Sequence, residues 1–344
     1  VKFMQLIEVF FVATVVSYLI TPLIRIIAIK SGYLDHPKDN KVHAHPTPLL
    51  GGVAIFIAFV ISIITKEQLL AIPHVRAVLF GSAILLMVGL IDDRIGMMPG
   101  VKLLGQFLAA MVIIKSGLRV NFIENYYISV IFTYIWIIGL TNAFNLLDNM
   151  NGLSSGIAVV AAMFFAAISY MNGQFYVTAL SLIIAGSALG FLRYNFPRAN
   201  IFMGDCGSLI LGYILASVAI MGSWKTYVWT TSLMIPILVL GYPIFDTCLV
   251  SVMRILEGRS VFQGGKDHSS HRLALLGFKK YRTVLVVYAI CFALGLTAVA
   301  VTKVQPLTGV TLGFAAFVMM FLFGLMLSRV DTKRFGRKKG ASAS

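Results

Sequence analysis

The run "TVLVVYAICFALGLTAVAVT", Thr283–Thr302, carries no charge, no amide and no proline. A helix on a soluble surface needs one apolar stripe, whereas this run is apolar on every side. Its length matches the roughly 20 residues that carry a helix across the hydrocarbon of a bilayer. Similar runs lie near 3–28, 50–65, 75–91, 103–118, 126–141, 154–171, 175–192, 207–222, 227–251 and 307–328. The fold class is therefore all-α: a polytopic integral membrane protein of about eleven spans, or ten if 103–118 does not cross. The first run is long enough to span and lacks an A-x-A-like site, so no cleavable signal is expected.

Composition agrees. The chain is 59% hydrophobic and 12% charged, with mean hydropathy +0.90. Soluble domains carry about 25% charged residues. The net charge of +15 would suit nucleic acid in a soluble protein, but its placement speaks for a membrane. Only Lys2, Lys66, Arg76, Lys115, Arg119, Lys225 and Lys303 fall on one side of the expected spans. All other Lys and Arg fall on the opposite side, which the positive-inside rule makes cytoplasmic. This puts the N terminus outside and the C terminus inside. A single transmembrane catalytic domain, 1–328, then precedes a basic cytoplasmic tail, 329–344, set against anionic headgroups. No nucleic-acid partner is expected. Cys206, Cys248 and Cys291 are scattered and read as small buried hydrophobes, not as a metal or disulfide set.

The acids follow the same asymmetry. Asp35, Asp39, Asp92, Asp93, Asp148, Asp205, Glu257, Asp267 and Asp331 fall in or beside cytoplasmic loops. A secondary transporter of an anionic metabolite, the competing class, would place ionisable groups at the midplane and show an inverted repeat. Clustering at one face suits an enzyme whose water-soluble substrate arrives from the cytoplasm.

Five loops carry the polar chemistry. In "GLIDDRIGMMPGVKLLGQ", Asp92 and Asp93 end a span and Lys102 opens the next. Adjacent acids there bind a divalent metal, share a proton, or merely solvate a helix end. In "NAFNLLDNMNGL", Asp148 stands among Asn142, Asn145, Asn149 and Asn151. Amides supply neutral hydrogen bonds where negative charge is already crowded. In "FLRYNFPRANIFMGDCGSLILGY", Asp205 opens a span whose free N–H groups suit phosphate. Phe202 is either a stacking platform for a base or an interfacial aromatic. In "RILEGRSVFQGGKDHSSHRLALLGFKKYR", His268 and His271 share a face if helical, with Arg272 beside them. Contact with phosphate oxygens fits these better than zinc does; a solvated pair is the alternative. The loop "DHPKDNKVHAHPTPLLGG" adds Lys41. Within the ninth span, Pro236 and Pro243 are expected to kink the helix and open a lipid-facing groove. Asp246 there is either a groove-edge group or an internal hydrogen-bond partner, the latter favoured.

Together these loops resemble the polyprenyl-phosphate N-acetylhexosamine-1-phosphate transferase family (glycosyltransferase family 4). The match is nearest the undecaprenyl-phosphate GlcNAc-1-phosphate branch, which is WecA- and TagO-like, and more distant from MraY-type enzymes. It runs in one order from about Asp35 to Gly277. What the resemblance implies is transfer of N-acetylhexosamine-1-phosphate, by default GlcNAc-1-phosphate, from a UDP-sugar to undecaprenyl or polyprenyl phosphate. UMP leaves, and Mg²⁺ is required, with Mn²⁺ as a substitute. The setting implied is the plasma (inner) membrane, with the site on the cytoplasmic face, at the first membrane step of a cell-envelope polysaccharide such as lipopolysaccharide, O-antigen or teichoic acid. Oligomeric state is not legible, although enzymes of this kind often form homodimers.

By the same resemblance, Asp205 matches the metal ligand, Asp92 and Asp93 the acidic pair, and Asp148 the central carboxylate. Phe202 matches the residue stacked on uracil, Asn145 and Asn195 active-site amides, and Lys102 a phosphate-facing lysine. His268, His271 and Arg272 match the histidine-rich loop. The candidate catalytic set is Asp92, Asp93, Asp148 and His268. The substrate-binding set is Lys41, Lys102, Asn145, Asn151, Asn195, Phe202, His271 and Arg272. Three positions depart from the family pattern: Gly96 stands where a third Asp is usual, Ser270 where a histidine is, and Asn151 where an Asp is. Asn151 keeps shape and gives up charge, so nucleotide binding is expected to persist with altered strength or donor preference.

Overall fold

A computed structural model describes residues 2–35, 46–224, 229–261 and 265–332. The order is α1 (Lys2–Lys30), β1 (Leu34–Asp35), β2 (Thr47–Pro48), α2 (Gly51–Ile64), α3 (Glu67–Leu70), α4 (Pro73–Ile95), α5 (Pro99–Lys115) and α6 (Tyr126–Leu147). Then follow α7 (Leu153–Met171), α8 (Phe175–Asn195), α9 (Gly204–Met221), α10 (Trp229–Val239), α11 (Gly241–Leu256), α12 (Ser269–Leu275), α13 (Lys280–Val301) and α14 (Pro306–Ser328). The two short strands pair antiparallel, Leu34 with Pro48 and Asp35 with Thr47. Lys41 and the tail beyond Thr332 lie outside the described residues.

Every stretch expected to span is helical over its described residues, but not every helix is long enough. Among the described residues, eight helices are long and apolar enough to cross a membrane, and a ninth span results if the bent pair α10–α11 counts as one. At about 1.5 Å per residue, the 14 residues of α2 and the 17 of α5 fall short of the roughly 30 Å of hydrocarbon. The pair α10–α11 turns by 72° at Leu240. Proline accounts for the break: Pro243 cannot donate to the carbonyl of Val239, so the ladder is interrupted where the chain turns. The expected kink is present.

The centre of the bundle is α9. Each of its residues is buried except Asp205 and Met221. It packs against α2, α4, α6, α7 and α8. Small residues allow this approach: a Cβ on Gly52 would strike the Gly207 backbone, and one on Gly89 the Cys206 backbone. Of the cysteines, Cys206 and Cys291 are buried as expected, while Cys248 is exposed.

Long-range bonds define the two ends of the bundle. At one end, the C-terminal turns of α4 and α6 meet the N-terminal turn of α9 through Asp93 and Asn145. Arg94 reaches the carbonyls of Ser31 and Gly32 just past α1, and Arg272 reaches those of Leu327 and Val330. The last turns of α1 and α14 therefore share this end, and the first residues of α1 lie at the other. There Lys66 pairs with Glu8 at 2.6 Å.

Candidate active site

Asp92 and Asp93 share the last turn of α4, yet successive helical residues point about 100° apart, so they face different partners. Asp92 accepts from the Met97 N–H at 2.6 Å and contacts the Lys102 ammonium. Asp93 turns toward α9 and accepts from the N–H groups of Asp205, at 2.8 Å, and Cys206, at 3.2 Å. It thus caps α9. Gly204 makes this fit, because its φ of +75° suits glycine and a Cβ there would enter the Asp93 carboxylate. The expectation that the start of α9 is free for phosphate is corrected at these two N–H groups, since Asp93 already holds them. Asp93 is correspondingly a structural carboxylate in this arrangement.

Lys102, in the first turns of α5, lies 2.5 Å from the Asp205 carboxylate and also touches Asp92. In this arrangement its partners are the two acids. The Asp205 side chain is one-third exposed at the head of a helix that is otherwise almost wholly buried. Asn145 donates to Ser208 Oγ at 2.9 Å, one turn further into α9. Asp148 follows α6 as its C-terminal cap. Its half-buried carboxyl makes no hydrogen bond among the described residues. Burial, then the negative charges of Asp205 and Asp93, push its pKa up to about 8.

The amides of the central loop divide. Asn149 accepts from Ser270 Oγ at 2.8 Å, which ties this loop to the histidine segment 121 residues away. Asn151 is exposed, with only a 3.5 Å approach to the Pro197 carbonyl. Asn195 is buried and committed: it accepts from Gly152 N at 2.6 Å and donates to Ile201 O at 2.9 Å. Its expected substrate contact is corrected to a brace between two loops. Phe202 is half-exposed, on a segment fixed by backbone bonds to Pro48 and Gly51. That position suits a stacking platform.

The histidine segment forms the short α12, with His268 as its N-cap and not within it. The rings of His268 and His271 are 6.0 Å apart. Burial chiefly pulls the pKa of His271 down to about 4, so it is neutral at pH 7. Arg272 is 1% exposed and donates to the carbonyls of Asp267, Leu327 and Val330. Through Nε and Nη1 the guanidinium fastens α12 to the end of α14, while its buried Nη2 has no hydrogen-bond partner among the described residues. Asp246 is fully buried and bonded to His268 and Ser269, so it is the internal partner favoured from sequence. Sequence reasoning missed Ser270, Asn149 and Asp246 as a chain of contacts, because nothing local links positions so far apart.

Residues 75–223 match the family model described as glycosyl transferase family 4. The chain is 34% identical over 341 residues to a Bacillus subtilis protein named "Probable undecaprenyl-phosphate N-acetylglucosaminyl 1-phosphate transferase", covering 96% of this chain and 95% of that one. It is 30% identical over 312 residues to the decaprenyl-phosphate N-acetylglucosaminephosphotransferase of Mycobacterium tuberculosis, covering 80% and 77%. Similarity extends to the phospho-N-acetylmuramoyl-pentapeptide-transferase of Bacillus subtilis, 27% over 311 residues, covering 81% and 91%. A multi-pass helical membrane protein with acids gathered at one bundle end is thus a phosphoglycosyl transferase. The chain belongs to the polyprenyl-phosphate N-acetylhexosamine-1-phosphate transferase family, in its undecaprenyl-phosphate GlcNAc-1-phosphate branch. The transporter reading is set aside.

Proposed function

We propose that this enzyme transfers GlcNAc-1-phosphate from UDP-GlcNAc to undecaprenyl phosphate and releases UMP, as the first membrane step of a cell-envelope polysaccharide. The observation that carries the reading is the meeting of Asp92, Lys102, Asp148 and Asp205 at one end of the bundle, from four different segments. On this reading that end faces the cytoplasm, with eleven membrane-embedded helices counted and the C terminus on the same side.

The donor set fits a hard divalent cation such as Mg²⁺. The half-buried Asp148 carboxyl lacks a hydrogen-bond partner among the described residues and is raised by burial and then by Asp205 and Asp93, a repulsion that a cation relieves. Among the described residues no three His, Cys, Asp or Glu form a metal cluster. Mg²⁺ is commonly held by one or two carboxylates together with substrate phosphates and water. Asp205 and Asp148 are the residues that would hold it, and when bound it would offset the charge of the pyrophosphate. Lys102 keeps Asp92 and Asp205 from repelling each other. Phe202 offers a face to uracil, and the exposed Asn151 offers a donor and an acceptor to its edge.

Attack is direct in this proposal. A phosphate monoester has a second pKa of about 6 and is mostly dianionic at neutral pH, so it needs orientation more than activation. The rival is a covalent phosphosugar–aspartate intermediate. Exchange of labelled UMP into UDP-sugar without lipid acceptor would favour the rival. The primary test supplies the detergent-solubilised protein with Mg²⁺, polyprenyl phosphate and a panel of UDP-N-acetylhexosamines. UMP release with UDP-GlcNAc is expected; folded protein that releases none with any donor rejects the proposal. Repeating the panel with Asn151→Asp tests whether this position sets donor preference.

A further inference from the structure

His268 and Asp246 form a buried pair, 4% and 0% exposed. Asp246 Oδ2 lies 2.8 Å from His268 Nδ1. Its other oxygen accepts from the Ser269 N–H at 2.7 Å and from the Ser269 hydroxyl. Since that hydroxyl donates to Asp246, it is the acceptor for Tyr242 OH at 2.7 Å. Three donors thus converge on one carboxyl group, which serves as acceptor in each bond. Nδ1 of His268 therefore carries a hydrogen. Its second nitrogen, Nε2, makes no hydrogen bond among the described residues. Two residues on, Ser270 is bonded to Asn149, which adjoins Asp148. The histidine is thereby attached to the acid cluster from one side and to Asp246 from the other.

We infer that Asp246 is the positioning residue of this active site: it fixes His268 as the Nδ1–H tautomer, so that the lone pair on Nε2 meets the substrate. The inference rests on the transfer proposed above. The matching group is the last proton of a phosphate monoester, whose second pKa is about 6. When Nε2 takes it, the P–O–H bond to hydrogen breaks, its electron pair stays on the phosphate oxygen, and the new N–H forms. The resulting imidazolium lies between two anions, the phosphate and Asp246. Asp246 touches no substrate itself. The 72° break between α10 and α11 sets the start of the helix that carries it.

The test is the tautomer, read by ¹⁵N NMR of the full chain labelled at histidine, in detergent and mildly alkaline buffer. Loss of resonances in His268→Gln assigns the ring. The expected result is protonated Nδ1 and bare Nε2. In Asp246→Asn the amide carbonyl can keep the Ser269 N–H, while the amide N–H faces Nδ1, so the tautomer reverses. The same variant is expected to lower kcat by about 10-fold or more near pH 6, where about half of the acceptor still carries its last proton, and by less as pH rises, with UMP binding unchanged. In a His268→Gln background it is expected to cost under about 3-fold, because the two act as one unit. A wild-type ring protonated at Nε2, or equal losses in both backgrounds, overturns the inference. If Asp246→Asn does not fold, the wild-type spectrum decides alone. A wild type that transfers nothing rejects the proposed function and leaves the tautomer readable.

Discussion

The ammonium of Lys102 lies 2.5 Å from the carboxylate of Asp205 and also contacts Asp92, so one cation from α5 serves acids from α9 and α4. Removing it leaves two facing carboxylates without compensation. Lys102→Met is expected to lower kcat/KM by at least about 10²-fold and to destabilise the fold by about 1–3 kcal/mol. Lys102→Arg should not restore activity, since a planar fork cannot occupy the place of a point charge between two acids. UMP release and thermal unfolding measure both. Full activity in Lys102→Met would remove Lys102 from the site.

Asp148 is held near pKa 8, above the ordinary 3.8 of a carboxylate. Between those values the folded chain retains a proton that the unfolded chain has released. The stability from this group is therefore fully present below about pH 4 and is lost as pH rises through about 8. Asp148→Asn removes that dependence. The variant is expected to melt at least about 2–4 °C higher than wild type at neutral pH without divalent ions, and to lose at least about 10²-fold in activity. A variant less stable than wild type under these conditions would contradict the reading of Asp148 as an unpaired acid.

The bond from Ser270 Oγ to Asn149 Oδ1 joins the central loop to the histidine segment. Ser270→Ala and Asn149→Ala are each expected to reduce kcat by about 3- to 10-fold through loss of one hydrogen bond. The double variant should be little worse than either single one, with a coupling of about 0.5–1.5 kcal/mol. Strict additivity would show that the two loops act separately.

Below the histidine segment, Asp267 pairs with Arg254 at 2.8 Å and with Arg259 at 3.0 Å. Burial opposes its ionisation, but the Arg254 pair outweighs burial and holds its pKa at about 2. This is a depressed carboxylate, so its contribution of about 2 kcal/mol is present above pH 4 and lost as pH falls through about 2. Asp267→Asn should lower the melting temperature at pH 7 and lower it far less near pH 2. An equal deficit at both pH values would mean that the ion pair is not what stabilises this loop.

Much of this was legible in the chain itself. Runs such as Thr283–Thr302 fix a helix across hydrocarbon because length and apolarity are local properties. Lys and Arg asymmetry placed the polar loops on one side, and the bundle gathers those loops at one end. Pro243 announced the break in the ninth span. The residues of the acid cluster were all named in advance. Their division of labour was not. Asp92 and Asp93 are neighbours, yet one meets Lys102 and the other caps α9 across more than a hundred residues. Arg272 and Asn195 have the chemistry of substrate ligands, yet Asn195 is spent on a backbone amide and a carbonyl, and Arg272 commits Nε and Nη1 to carbonyls while its buried Nη2 has no partner among the described residues. Asp246 has no basic neighbour in sequence and finds His268 only because α11 folds back under α12. Sequence determined which groups lie between the apolar runs and gather at one end of the bundle, since that depends on hydropathy along the chain. Tertiary structure decided which of them remain for substrate, since a hydrogen bond reaches only about 3 Å and its partners are set by packing.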